Sequence, residues 1–186
     1  KVKQALRLKD VSNVVVTSDD DEMLSIASKL GANPMKRDSF YATDTVPMGD
    51  VYVHLASLLD HKDILWMPVT SPLIRDETIQ ECIEFYKNYE SFDCVVTTNL
   101  IKEYLWLDQE AINYDPKNHP RSQDLPDVYA LNFAANILSR KLMIKNKNIL
   151  GDNFCSYMID EVEAIDVDTE FDFMLAELLY NKMRKS

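Results

Sequence analysis

Asp166 and Asp168 flank Val167 near the end of a chain of 186 residues. On an extended backbone residues i and i+2 face the same way, so both carboxylates present oxygens toward one point. Two hard anionic ligands that leave coordination positions open suit Mg2+, which keeps waters and takes substrate phosphates. A plainer role competes with this one. A helical pattern starts at Thr169, and Asp168 is placed to cap it, with Asp172 in the first turn. Spacing alone favours the cap, although one residue can hold both roles.

In open parallel sheets ligands sit outside the carboxyl ends of the strands, so the polar residues that follow each strand deserve a census. Val14-Val15-Val16-Thr17 reads as a buried parallel strand and is followed by Ser18 and Asp19. The strand Ile64 to Met67 leads to Thr70 and Ser71, Tyr129 to Leu131 leads to Asn132, and Ile165 leads to Asp166 and Asp168. This set holds acids, hydroxyls and an amide, with no paired Cys/His ligands and no Ser/His/Asp triad. Arg37, in a polar loop after a short strand, could offer its planar donor fork to a nucleotide, yet an exposed arginine usually does nothing specific. Arg121 and Gln123 are surface residues by default. The run Asp19-Asp20-Asp21-Glu22 is most simply a helix cap and an acidic first turn.

The elements that must position these residues alternate. Helical patterns run from Glu22 to Leu30 (ended by Gly31), Met48 to Leu59, Asp76 or Glu77 to Tyr89, Ser139 to Lys145 and Thr169 to Met183. Strands are expected at Val14–Thr17, Asn33–Met35, Ile64–Met67, Asp93–Thr98, Tyr129–Asn136 and Cys155–Ile159, with a last extended stretch at Ala164–Asp168. That alternation marks a three-layer α/β fold with a mostly parallel sheet. The first ten residues look like the last turns of an amphipathic helix with Val2, Ala5 and Leu8 on one face. Lys182, Arg184 and Lys185 would complement the dipole of the final helix. From Asn99 the rhythm breaks, and Asn113 to Pro126 is rich in Asn, Asp and Pro without a period. A loop of that length inside a compact domain is usually functional or interfacial.

Hydrophobic residues make up 46% and charged residues 27% of the chain, an ordinary globular composition that fits one domain. No apolar run approaches the ~20 residues that span a bilayer, and the first residues do not show the pattern of a secretory n-region and h-region. A net charge of −11 argues against sequence-independent binding to nucleic acid or to an anionic membrane. A bound polyanion would need a metal or a local basic pocket. There are three glycines, where average usage would supply about 13. This excludes the GxGxxG and GxxxxGK[ST] phosphate loops as written. Cys82, Cys94 and Cys155 have no CxxC spacing and read as buried hydrophobes in a reducing, cytoplasmic setting. His54, His61 and His119 lack ligand spacing.

Taken together the motifs resemble the acylneuraminate cytidylyltransferase family, from about Val14 to Leu178. The matching pieces are Val15-Val16-Thr17-Ser18-Asp19, Arg37 with Ala42-Thr43-Asp44-Thr45, and Thr70-Ser71-Pro72-Leu73. They continue with Pro120-Arg121-Ser122-Gln123-Asp124-Leu125-Pro126, Asn132-Phe133-Ala134, and Ala164-Ile165-Asp166-Val167-Asp168-Thr169 with Asp172-Phe173. The resemblance implies a three-layer α/β/α, Rossmann-like fold of the nucleotide-diphospho-sugar transferase type, with residues 99–128 as a small insertion that faces the sugar and serves dimerisation. It implies Mg2+ on Asp166 and Asp168 as the catalytic pair, and Arg37, Asp19, Val46 and Met48 around the nucleotide. Thr70, Ser71, Arg121, Gln123 and Asn132 would face the sugar. The reaction implied is attack by the anomeric hydroxyl of an acidic keto-sugar on the α-phosphorus of CTP, in a homodimer.

Two features depart from that pattern. Family members open with a strand and a basic, glycine-containing segment that cradles the triphosphate, and these 186 residues contain neither. The expectation is therefore a sheet short of a central strand and a chain that is inactive alone. Pro68 stands where sialic acid members carry Gln, which opens the sugar to legionaminic, pseudaminic or other keto-sugar acids. Rival readings are a nucleotidyltransferase for another base and a non-catalytic domain of the same fold.

Overall fold

The computed structural model describes residues 1–183; Arg184 and Lys185, expected in the last helical turn, lie outside the described residues. Helix α1 is the single turn Val2–Ala5, after which Leu8 enters the core. The β-branched run forms β1 (Val15–Ser18), connected through α2 (Asp21–Lys29) to the parallel strand β2 (Asn33–Lys36). Asp20 caps α2, its Oδ1 accepting from Met23 N at 2.8 Å, and Asp21 and Glu22 fill the first turn. The cap reading thus accounts for three of the four acids and leaves Asp19 outside it. Gly31 terminates α2 at φ +98°, with Ala32 N donating back to Ala27 O at 3.1 Å.

The larger sheet has the order β3-β7-β4-β8, built from β3 (Asp63–Trp66), β4 (Cys94–Ile101), β7 (Val128–Ser139) and β8 (Phe154–Met158). Strands β3, β4 and β8 point one way and β7 runs against them, so the sheet is mostly parallel with one reversed strand. Neighbouring side chains on β4 and β7 go to opposite faces. Val95 and Ile137 meet Ile79, Cys82 and Ile83 of α4 (Asp76–Asn88). Cys94 and Leu138 meet Ala56 of α3 (Met48–Ser57) and Met143 of α5 (Arg140–Asn146). Helices therefore cover both faces, the three-layer arrangement that the alternation of elements implies. Cys82 and Cys94 are fully enclosed, and burial pushes their thiols up to about 12 and about 11.

The two sheets stay apart. Among the described residues β1 pairs only with β2 and β3 only with β7, which leaves one edge of each unpaired. Between those edges lies a largely apolar cavity of about 740 Å3, walled by Val14, Val16 and Thr17 on one side and Leu65, Met67 and Val69 on the other. Among the described residues no helix is long and apolar enough to cross a membrane.

Three expectations change. Ala164 lies in a turn, its N donating to Asp160 O at 3.0 Å, and Ile165–Asp168 joins no ladder. A hairpin of β5 (Trp106–Leu107) and β6 (Glu110–Ala111) occupies part of the irregular stretch. Its turn residues Asp108 and Gln109 both have positive φ, 47° and 70°, and carry no glycine to advertise a hairpin. Finally, β7 is antiparallel. It reaches the carboxyl edge of its neighbours with its first half, pairing Tyr129 with Leu100 and Ala130 with Asn99, so Asn132 stands near that edge despite the reversed direction.

Candidate active site

A bulge in β7 sets Asn132. The register jumps from Val96 opposite Asn136 to Thr98 opposite Leu131, and Phe133 takes φ +55°. A bulge re-aims side chains next to sites. Here Asn132 Nδ2 donates to Asn99 Oδ1 at 3.1 Å while Asn132 Oδ1 accepts from Ala134 N at 3.2 Å.

Arg37 follows β2 and turns back over β1. Its backbone N donates to Ser18 O at 2.9 Å and its Nη2 to Thr17 O at 3.1 Å. Arg37 Nε and Thr17 Oγ1 are enclosed without a hydrogen-bond partner, and both residues line the cavity between β1 and β3. Buried polar atoms are normally satisfied, so two orphans on one wall mark a place where another group belongs. Thr70 lines the same cavity. Ser71 is only 1% exposed and its Oγ has no partner, so it presents no open hydroxyl. Of the cytosine-side candidates, Val46 is buried and Met48 exposed, and Asp19 is exposed beside Lys36, whose Nζ donates to Asp19 O at 2.8 Å.

The segment 165–168 is joined to this cavity rim by one bond, Val167 N donating to Thr70 O at 2.8 Å. Val167 is half-buried between two exposed aspartates, the alternation of an extended strand without a strand's partners. The helix cap is made by other residues. Ahead of α6 (Glu170–Met183), Thr169 Oγ1 accepts from Asp172 N at 3.3 Å, and Asp172 Oδ2 accepts from Thr169 N at 2.9 Å and Thr169 Oγ1 at 2.7 Å. This is a capping box of Thr169 and Asp172. These bonds hold the Asp172 carboxyl below its ordinary value, the Thr169 hydroxyl contributing most. The capping role expected for Asp168 is thus corrected: its carboxylate takes no part, because Thr169 stands one residue nearer the helix. Among the described residues neither Asp166 nor Asp168 has a side-chain hydrogen bond or ion pair.

The donor set can be tested against Mg2+. Among the described residues no group of three or more His, Cys, Asp or Glu side chains is arranged to hold a metal. Two exposed carboxylates without partners, two residues apart, fit an ion that takes one or two protein oxygens and fills its octahedron with water and phosphate. They do not fit a structural zinc site, which needs four protein ligands.

Arg121 and Gln123 belong to a different part of the molecule. Both are exposed, Gln123 in a short 3-10 turn (Ser122–Asp124) and Arg121 just ahead of it, where Arg121 grips Asp124 through Nε at 2.7 Å and Nη2 at 3.2 Å. No bond joins them to Arg37, Thr70 or the two aspartates. The histidines have packing roles where they touch neighbours: His54 stacks on Tyr41 at 3.8 Å between centroids, and His119 packs on Tyr104 at 4.4 Å. The sequence reading missed Glu163, a buried acid beside the aspartate pair; a lone Glu in an acidic chain offered no signal.

No family model matches the chain. An N-acylneuraminate cytidylyltransferase of Escherichia coli O18:K1:H7 is 25% identical over 99% of this chain and 46% of its own length. The chain resembles the N-acylneuraminate cytidylyltransferases. A CMP-N,N'-diacetyllegionaminic acid synthase of Legionella pneumophila is 26% identical over 94% of this chain and 81% of its own. The Post-translational flagellin modification protein B of Campylobacter coli is 26% identical over 95% and 80%. The chain therefore spans about half of the first relative and about four fifths of the other two. Among solved structures, a CMP:2-keto-3-deoxy-manno-octonic acid synthetase complexed with CTP superposes with a TM-score of 0.66 at 14% identity, covering 98% of this chain and 86% of that one. The bifunctional IspDF of Campylobacter jejuni gives 0.60 at 15%, covering 88% and 41%. These structural likenesses establish the fold, an α/β architecture with a mostly parallel sheet.

Proposed function

We propose that this chain is the body of a Mg2+-dependent cytidylyltransferase that activates an acidic keto-sugar of the sialic or legionaminic type. The oxygen of the anomeric hydroxyl bonds to the α-phosphorus of CTP, the bond from that phosphorus to the bridging oxygen breaks, pyrophosphate leaves, and the hydroxyl proton goes to solvent or a base. The observation that carries this reading is the freedom of Asp166 and Asp168. They stand without side-chain partners on either side of Val167, whose N bonds to Thr70 O, and Thr70 and Arg37 line the cavity; Thr169 and Asp172 do the capping that would otherwise explain Asp168. Mg2+ held by the pair would offset charge on the triphosphate and the departing pyrophosphate. Arg37, with Nε unspent, offers a donor to the nucleotide, beside Asp19 and the backbone from Val46 to Met48. Thr70, Asn132 and, from the outlying turn, Arg121 and Gln123 face the sugar.

The domain reading is part of the same proposal. A strand from outside these 186 residues lies between β1 and β3 and brings the basic donors that an acidic body lacks. A four-residue strand about 13 Å long, 4.8 Å wide and 10 Å through its side chains fills roughly 600 Å3, close to the size of the cavity. Residues 99–128 form the insertion that meets a second copy of the chain, which would cover the exposed Trp106, Leu107 and Ile112. Three free thiols suit the reducing cytoplasm.

The test is a panel of CTP and UTP with nonulosonic and related keto-acids, run on the full-length protein with Mg2+. Pyrophosphate release with CTP and one of these acids is expected. Release with UTP alone would favour a nucleotidyltransferase for another base, and release with neither would favour a non-catalytic domain.

A further inference from the structure

Among the described residues Glu163 is the one buried acid, at 2% exposure, and every hydrogen bond of its carboxylate runs to the start of α4. Its Oε1 accepts from Arg75 N at 2.8 Å and Thr78 Oγ1 at 2.7 Å, and its Oε2 accepts from Arg75 Nη2 at 2.7 Å. Helix α4 has no side-chain cap of its own, so Glu163 caps it from a distant part of the sequence, where the helix dipole also favours a negative charge. Burying a carboxylate is costly unless it is paired and hydrogen-bonded. An apolar residue could fill the space more cheaply, so the location calls for a reason.

The neighbouring bonds supply one. Asp160 Oδ1 accepts from Val162 N at 3.0 Å and Glu163 N at 2.9 Å, closing a turn, and Asp160 Oδ2 shares the Arg75 guanidinium at 3.2 Å. Four residues after Glu163, Val167 N bonds to Thr70 O at 2.8 Å. The short stretch between these fastenings contains Asp166, and Asp168 follows it directly. Both fastenings hold to one segment, residues 70–78, which begins with the cavity-lining Thr70.

We infer that Glu163 is a positioning residue: through Arg75 and Thr78 it sets the two aspartates in register with the Thr70 loop, and so the metal with the sugar. It touches neither ligand. This inference rests on the metal role proposed for Asp166 and Asp168, and the test separates the two. In the full-length protein with CTP, Mn2+ binding is titrated by electron paramagnetic resonance, and exchange of the Val167 amide is followed by NMR. Glu163→Ala is expected to weaken Mn2+ binding at least fivefold and to speed Val167 exchange at least tenfold. Glu163→Gln, whose amide oxygen still accepts from Arg75 N and Thr78, should recover most of both. Should Glu163→Ala fail to fold, Thr78→Val removes one donor and should give a smaller change in the same two readouts. Unchanged Val167 exchange, or unchanged Mn2+ binding with a looser Val167, overturns the inference. Mn2+ binding that ignores Asp168→Ala, with Val167 still dependent on Glu163, overturns the metal reading instead and takes the positioning role with it.

Discussion

Residues 159–169 and residues 102–127 are both largely irregular, yet they are held in opposite ways. The first stretch is fastened outward: Ile159 N to Thr98 O at 2.8 Å, Glu163 to the start of α4, and Val167 to Thr70. The second is fastened mainly to itself. Asn113 bridges its own loop, accepting from Leu105 N at 2.9 Å and donating to Glu103 O at 2.8 Å, and Trp106 Nε1 donates to Tyr114 Oη at 2.8 Å. Tyr104, Trp106, Tyr114 and His119 form a small aromatic cluster, and Lys102 ties the base of the arm to Leu125 O and Asp127. An irregular backbone can be as well held as a strand when side chains satisfy it, but what it is fastened to decides what it can transmit. The first stretch can hold a charge pair in register with the sheet edge. The second can present a surface.

The largest effect expected from this contrast is at Asp168. Asp168→Ala in the full-length protein should lower CTP turnover more than tenfold while the melting temperature stays within about 2 °C, because the side chain supports nothing in the fold. A large drop in melting temperature with unchanged turnover would erase the distinction between the two regions. Next in size is Asn113→Ala, which removes two half-buried bonds worth about 1 kcal/mol each. Hydrogen exchange should quicken at Leu105 and Ile112 and stay slow at Val95 and Val96; quickening throughout β4 would mean the arm is not self-contained. Smaller still is Thr169→Ala, expected to cost about 1 kcal/mol of helix stability, read as faster exchange in the first turns of α6. Its partner gives the pH dependence. The Asp172 carboxyl is depressed in the folded state, so its cap is fully present above the ordinary carboxylate value and is lost as pH falls through the depressed one. Protection of the α6 amides should decline only in that acid range. Least visible is the thiol chemistry. With Cys82 near 12 and Cys94 near 11, roughly one thiol in a thousand or fewer is ionised at pH 8, and neither should react with a disulfide reagent in the native protein.

How much of this was legible beforehand differs by element. The helices and the strands β1, β3, β4 and β8 were marked by periodicity and by caps such as Asp20 and Gly31, which act within a few residues. The β5–β6 hairpin was not marked, because Asp108 and Gln109 adopt left-handed backbone without the usual glycine. The antiparallel course of β7 was not marked either, since its buried second half, Ala134–Leu138, reads much the same whichever way the strand points. At the candidate site the pattern Asp-Val-Asp singled out two acids that the fold leaves without side-chain partners. The cap expected of Asp168 lies one residue further on, at Thr169.

Sequence by itself determined the alternating elements, the acidic balance that calls for a metal or a local basic pocket beside any bound polyphosphate, and the likeness to the acylneuraminate cytidylyltransferases, because each depends on residue type and near-neighbour spacing. Only the tertiary structure decided which acids are free and which are occupied. Thr169 and Asp172 relieve Asp168 of the cap, Glu163 is buried against a helix 85 residues earlier at Thr78, and β1 and β3 face each other across an open cavity. Those outcomes depend on which atoms meet across the fold, and a carboxylate's role follows from the donors it finds there.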